Sequence, residues 1–283
     1  MNVLKTGILM AIMTAIFLFA GAALGGQQGL IFALAFAVIA NFLTYWFSDK
    51  LVLKLYGARE VSYKDAPQFV ESVERLAKRA GLPIPRVYVI PSMQPNAFAT
   101  GRNPAHAAVA ATEGLLRALD RRELEGVIAH ELAHVQHRDI LIGAIVGTMA
   151  GAVSSLAWMA KWGAIFGGAS SRDDNDGGII GALVLAIVTP ILALLVQLAI
   201  SRSREYHADQ RAGELTGDPT ALASALHKIH RFAAEIPMAQ AGPATAHLFI
   251  ASPLSGGGLL SLLSTHPPVE DRIERLRAQA AGR

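Results

Sequence analysis

The sequence predicts a mainly helical membrane protein: four transmembrane helices, with the polar segments between and after them forming a small α+β domain that carries a short β-sheet. Three observations predict this. Charged residues make up only 17% of the chain and the mean hydropathy is +0.38, both unlike a soluble globule. The apolar excess is concentrated in long uncharged blocks. The remaining segments show the spacings of amphipathic helices and short strands.

No residue between Lys5 and Asp49 is charged, which is room for two spans of about 20 residues each. Gly25, Gly26, Gln27, Gln28 and Gly29 mark a turn between them. A helical hairpin with arms at residues 6–24 and 30–47 follows, and a cleaved leader is disfavoured because the second apolar run begins at once. Residues 140–160 and 177–201 are two further uncharged runs, the second kinked at Pro190. The chain then divides into a transmembrane hairpin (1–48), a polar segment (49–139), spans three and four with a short loop (140–201), and a second polar segment (202–283).

Four spans put both termini and both polar segments on one side of the bilayer. All but Lys161 and Arg172 of the 25 lysines and arginines fall on that side, and Lys50, Lys54, Arg138, Arg202 and Arg204 lie near span ends. By the positive-inside rule that side is the cytoplasm. The net charge of +3 is too small and too scattered for a nucleic-acid partner, and the absence of cysteine removes disulfides, thiolate metal sites and cysteine nucleophiles.

In the first polar segment, residues 66–80 have helical spacing and stop at Gly81, Leu82 and Pro83. Residues 86–90, 97–100 and 107–111 are strand candidates, and a helix is expected over 121–139. After the fourth span, 202–216 and 219–234 read as helices, 237–264 as a loop and 269–278 as a closing helix. No phosphate loop, dinucleotide glycine pattern or nucleophile elbow is present.

The chemistry is concentrated in His130, Glu131, Leu132, Ala133 and His134. Residues four apart on a helix lie one turn above each other, so both imidazoles can hold one cation while Glu131 flanks it without being a ligand. A zinc ion held this way activates water and polarises a carbonyl, and the glutamate can carry the proton. A third protein ligand is required, and Glu205 is the best donor, with His207 as the alternative. Asp209 shares the helix face of Glu205 and can accept a hydrogen bond from a ligating imidazole. The competing reading of Glu205 and Asp209 is a solvated acidic pair balanced by Arg202 and Arg204. His137 reads as a polar interface residue, and His106, His227, His230 and His247 have no partner pattern.

With these motifs in one chain, together with residues 96–101 (Asn-Ala-Phe-Ala-Thr-Gly) and 265–268 (Thr-His-Pro-Pro), the sequence resembles the HtpX-type membrane zinc metalloproteases, relatives of the CAAX prenyl endoproteases. The resemblance implies a zincin-like domain with one Zn2+ per chain, held by His130, His134 and Glu205. It implies Glu131 as general base and Asp209 as support. Asn96, Ala97 and Phe98 would form the edge strand along which substrate lies. His266 and Arg272 would steady the substrate or the tetrahedral intermediate. The implied activity is endopeptidase cleavage of polypeptides, membrane proteins among them, at the cytoplasmic face of a bacterial inner membrane, in stress-linked quality control. The lipid bilayer is the other expected partner, and no oligomeric state is assigned. Intramembrane cleavage is excluded by Arg121, Arg122, Glu123 and Glu125 before the motif and Arg138 and Asp139 after it, which leave too short an uncharged stretch. A transporter would carry ionisable groups inside the spans, and none of the four does.

Overall fold

The computed structural model describes residues 2–142, 202–235, 250 and 267–282. All but residues 140–142 of the expected third span, the whole of the fourth, His247 and His266 lie outside the described residues.

The chain opens with α1 (Asn2–Leu55), helical throughout yet doubled back on itself. A straight helix would hold residues 14 and 41 about 40 Å apart, but Asn41 Nδ2 donates to Thr14 Oγ1 at 2.8 Å. The rings of Phe17 and Phe36 meet edge to face at 5.0 Å. The reversal sits at Gly26, whose φ of 56° suits a residue without Cβ. The expected hairpin is therefore present, with a tighter turn than a loop would make. Its second arm, Gly26–Phe47, is long and apolar enough to cross a bilayer, whereas Thr6–Phe19 in the first arm is shorter. Ile31, Phe32, Val38, Ile39 and Phe42 point outward, as lipid-facing side chains would. Beyond Phe47 the helix runs two more turns and buries Val52, Leu53 and Tyr56 against the sheet.

Four strands form that sheet: β1 (Arg59–Glu60), β2 (Arg86–Ile90), β3 (Ala97–Thr100) and β4 (Ala108–Thr112), in the order β1-β2-β4-β3. β2 and β4 are parallel and the outer pairs antiparallel, so among the described residues β3 is an edge. Between β1 and β2, α2 (Pro67–Arg79) begins with proline at its first position, where a missing N–H costs nothing. It turns Phe69, Val70, Val73, Leu76 and Ala77 inward at helical spacing. A short α3 (Glu113–Ala118) is capped by Thr112 and leads into α4 (Arg121–Gln136).

The start of α4 is held by a reciprocal capping box between Asp120 and Glu123. Glu123 also accepts from Ser224 Oγ and Lys228 Nζ, both at 2.7 Å, which ties in α6 (Pro219–Glu235). Gly126 makes this approach possible, because a Cβ there would stand 2.9 Å from the Leu222 backbone. α4 runs through the centre of the domain with Val127, Ile128 and Leu132 fully buried, each burial stabilising by about 1.5–3 kcal/mol. α5 (Arg202–Thr216) and α7 (Val269–Ala280) complete the helical layer. The observed α4 is shorter than the expected 121–139: it ends at Gln136, with His137 as its cap and Arg138 left-handed at φ 58°.

Candidate metal centre

His130 and His134 project from one face of the buried α4, one turn apart, and both direct Nε2 at the same point. Their Nε2 atoms lie 3.2 Å apart. Glu205, in the first turn of α5, completes a triangle, with Oε2 at 3.7 Å from His130 Nε2 and Oε1 at 3.6 Å from His134 Nε2. Tetrahedral ligands at about 2.0–2.1 Å from an ion stand roughly 3.3 Å from one another, so the three donors fit a small divalent cation. They are the group of His, Asp and Glu donors that converges in this way among the described residues. His207, the alternative ligand, is exposed in the groove between α5 and α7 beside Tyr206 and Arg275 and is not part of the triangle.

Glu131, next in sequence to His130, points elsewhere. Its Oε2 accepts the N–H of Ala99 on β3 at 2.8 Å. The reason lies in the β3–β4 ladder. Thr112 donates its N–H to Asn96 O, and antiparallel bonding alternates, so Phe98 and Thr100 face β4 while Ala97 and Ala99 turn N–H and C=O away from it. The edge strand and Glu131 therefore meet beside the triangle, joined through the Ala99 N–H.

The other two residues expected on this strand face inward. Asn96 is buried, and its Oδ1 accepts the N–H of Ile250 at 3.1 Å. Phe98 is buried against Tyr56, ring centroids 5.5 Å apart.

Behind the triangle lies a buried polar chain. Asp209, one turn after Glu205, brings Oδ1 to 2.9 Å from His130 Nδ1, close enough for an ion pair though not aligned as a hydrogen bond. Arg272 of α7 grips the same carboxylate with both prongs, Nη2 to Oδ1 at 2.7 Å and Nε to Oδ2 at 2.8 Å. Its Nη1 donates to Ile250 O at 3.1 Å. Burial would raise the Asp209 carboxyl, but the charge and hydrogen bonds of Arg272, with His130, hold it below the usual carboxylate range. Arg272 is 1% exposed, and its Nη2 also stands 3.5 Å from His130 Nε2 at the edge of the triangle.

His134 sits among anions. Burial alone would lower its imidazole, but the hydrogen bond to Asp139 and the charges of Glu205, Glu131 and Asp139 push it up to about 9. In the absence of a metal the surrounding carboxylates thus favour the protonated ring. Asp139, which accepts from Arg204 at 3.0 Å, was not singled out by spacing. The signal for it is the αL turn that follows α4 at a non-glycine position, which no composition rule marks.

Comparison with known proteins places these residues in a family context. The family model described as Peptidase family M48 matches residues 64–280. A "Protease HtpX homolog" of Ralstonia pickettii (strain 12J) is 56% identical over 281 residues, covering 99% of this chain and 97% of that one. Another, of Desulforapulum autotrophicum, is 55% identical over 277 residues, covering 98% and 89%. The crystal structure of S. mikatae Ste24p aligns with a TM-score of 0.52 at 19% identity, a likeness of fold, and this chain spans 62% of its length.

Proposed function

The chain belongs to peptidase family M48 and is a membrane metalloendopeptidase, and from that premise we propose that it is a zinc enzyme of the bacterial cytoplasmic membrane that cleaves polypeptides at the cytoplasmic face. Membrane proteins that misfold under stress are the substrates this reading favours. One observation carries it: a triangle of two imidazoles and a carboxylate stands beside a sheet edge whose Ala99 N–H is bonded to the carboxylate of Glu131, a residue outside the triangle. The cytoplasmic orientation is supported by the lysines and arginines gathered in the polar segments.

His130, His134 and Glu205 would hold the ion, one per chain, through the atoms that already converge. Zinc, when bound, lowers the pKa of nearby water and polarises a carbonyl. An extended substrate adds to β3 as a further strand, its backbone pairing with the outward N–H and C=O groups of Ala97 and Ala99. A substrate carbonyl that takes the Ala99 N–H frees the Glu131 carboxylate. Glu131 then accepts a proton from the attacking water and passes it to the amide nitrogen as the C–N bond breaks. Water and peptide become a carboxylate and an amine, with Glu131 regenerated. Asp209 holds the His130 ring with Nε2 toward the ion, and Arg272 keeps Asp209 ionised. His266 keeps its expected role near the substrate as part of this proposal.

The test uses full-length protein purified in detergent. Wild type should bind one zinc and cleave casein, and Glu131→Gln should keep the zinc and lose cleavage. Loss of the metal from Glu131→Gln would make Glu131 a ligand and overturn the assignment.

A further inference from the structure

Each imidazole of the triangle turns Nε2 to the centre, so Nδ1 is the nitrogen that keeps its proton while Nε2 offers a lone pair. A ring in that state needs an acceptor behind Nδ1 to hold its tautomer and orientation. Behind His130 stands the carboxylate of Asp209, Oδ1 2.9 Å from Nδ1 and itself clamped by Arg272. The same arrangement is repeated behind His134 with different residues. Asp139 Oδ2 stands 3.5 Å from His134 Nδ1, and Arg204 Nη1 donates to Asp139 Oδ1 at 3.0 Å.

The backbone is shaped to put Asp139 there. A helix continued past Gln136 would place residue 139 well over a turn beyond His134 and rotated off its face. Instead Arg138 adopts φ 58°, the one positive φ at a non-glycine residue among those described, a conformation that costs an L residue free energy. The chain reverses, Asp139 N–H donates to His134 O at 3.0 Å, and the carboxylate swings back under the ring. The Asp139 side chain is 9% exposed and that of Arg204 19%, so the pair is shielded from bulk water.

We infer that Asp139, braced by Arg204, is a positioning residue that orients His134 for the metal, the counterpart of Asp209 and Arg272 behind His130. The inference rests on the metal-site reading above, and it assigns Arg138 a role as well: its left-handed turn aims the carboxylate.

The test compares full-length wild type with Asp139→Ala, Asp139→Asn and Arg204→Gln, and with Arg59→Gln, which removes an exposed ion pair to Glu113, as control. Zinc affinity is measured by competition with a chromophoric chelator, the cobalt-substituted protein by its visible absorption, and the chelated protein by thermal unfolding. Asp139→Ala should weaken zinc roughly 10- to 100-fold and alter the cobalt bands, the range expected for loss of such a partner. Asp139→Asn and Arg204→Gln should each cause a smaller loss in the same direction, with the control unchanged. Zinc affinity within twofold of wild type and an unaltered cobalt spectrum in Asp139→Ala would overturn the inference. So would a lowered unfolding temperature with affinity intact, which marks a structural role only. Should Asp139→Ala not fold, Asp139→Asn and Arg204→Gln decide by the same criteria. Failure of wild type itself to bind zinc would overturn the metal reading, a different result from equal binding by wild type and variant.

Discussion

Removing Arg272 separates two roles that predict opposite things. Its guanidinium is 1% exposed, makes two short hydrogen bonds to Asp209 and a third to Ile250 O, and lies 3.5 Å from His130 Nε2. Arg272→Ala would leave the Asp209 carboxylate, 2% exposed, without its counter-charge. Breaking one side of a buried pair costs about 3–5 kcal/mol. For a domain of this size each kcal/mol moves the midpoint by roughly 2–4 °C, so unfolding should come about 6–20 °C earlier. Chelated protein is the right sample, because it removes the contribution of bound metal. A purely catalytic donor would behave otherwise, costing about 3 kcal/mol in the barrier, roughly 100-fold in kcat, with little change in stability. The double variant Arg272→Met, Asp209→Leu supplies the control: deleting both charges should recover most of the lost stability, since a buried pair is often replaceable by apolar groups. A midpoint within about 2 °C of wild type in Arg272→Ala, alongside a roughly 100-fold fall in kcat, would refute the structural reasoning and return Arg272 to the substrate.

Two further outcomes follow from the site. In chelated protein His134 is pushed up to about 9 by Asp139, Glu205 and Glu131 against the effect of burial, so its contribution to stability is complete below its ordinary value of 6.5 and lost as pH rises through 9. The unfolding temperature of metal-free protein should therefore fall between those values, whereas zinc affinity should rise over the same range as the proton is displaced; a flat metal-free profile would contradict the anionic character of the site. Ala99→Pro removes the outward N–H without touching a bond to β4, and proline is tolerated on a strand edge. Cleavage should drop at least about tenfold while stability falls by about 1–3 kcal/mol, the cost of leaving the buried Glu131 carboxylate without that donor, and full activity in a folded Ala99→Pro protein would show that substrate does not pair at that position.

What could be read from the chain alone depended on how local its cause was. The hairpin arms were legible because an uncharged run longer than 40 residues has few soluble solutions, and the glycines at 25, 26 and 29 marked the turn. α2 was legible from the spacing of its inward face and its stop at Gly81, Leu82 and Pro83, and the pairing of His130 with His134 from helical spacing. β1 is two residues long and exists because Arg59 and Glu60 find Val89 and Tyr88 opposite them, a partnership with no sequence signature of its own. The end of α4 was misread because a left-handed residue there is usually glycine and here is Arg138. Arg272 was singled out only through the resemblance, since nothing near it in sequence discloses that Asp209 waits in the core. Asn96 was placed on the substrate strand by resemblance, yet its side chain serves Ile250, 154 positions away.

Those long-range bonds explain why the centre cannot be treated as an appendage of the fold. From the edge strand, Asn96 Oδ1 receives the N–H of Ile250, whose carbonyl receives Arg272, which holds Asp209, which faces His130. The strand on which substrate would lie and the ring that would hold the metal are thus joined by one unbroken series of buried polar contacts. Low dielectric makes each member depend on the next, because any group left unpaired in the interior bears its full desolvation cost. The same bonds dock α7 onto α5, so the helix that closes the domain also completes the support of the metal ligands. A chain whose α7 detaches would lose the counter-charge of Asp209 and the orientation of His130 together, and metal affinity and folding of the domain should fail as one event.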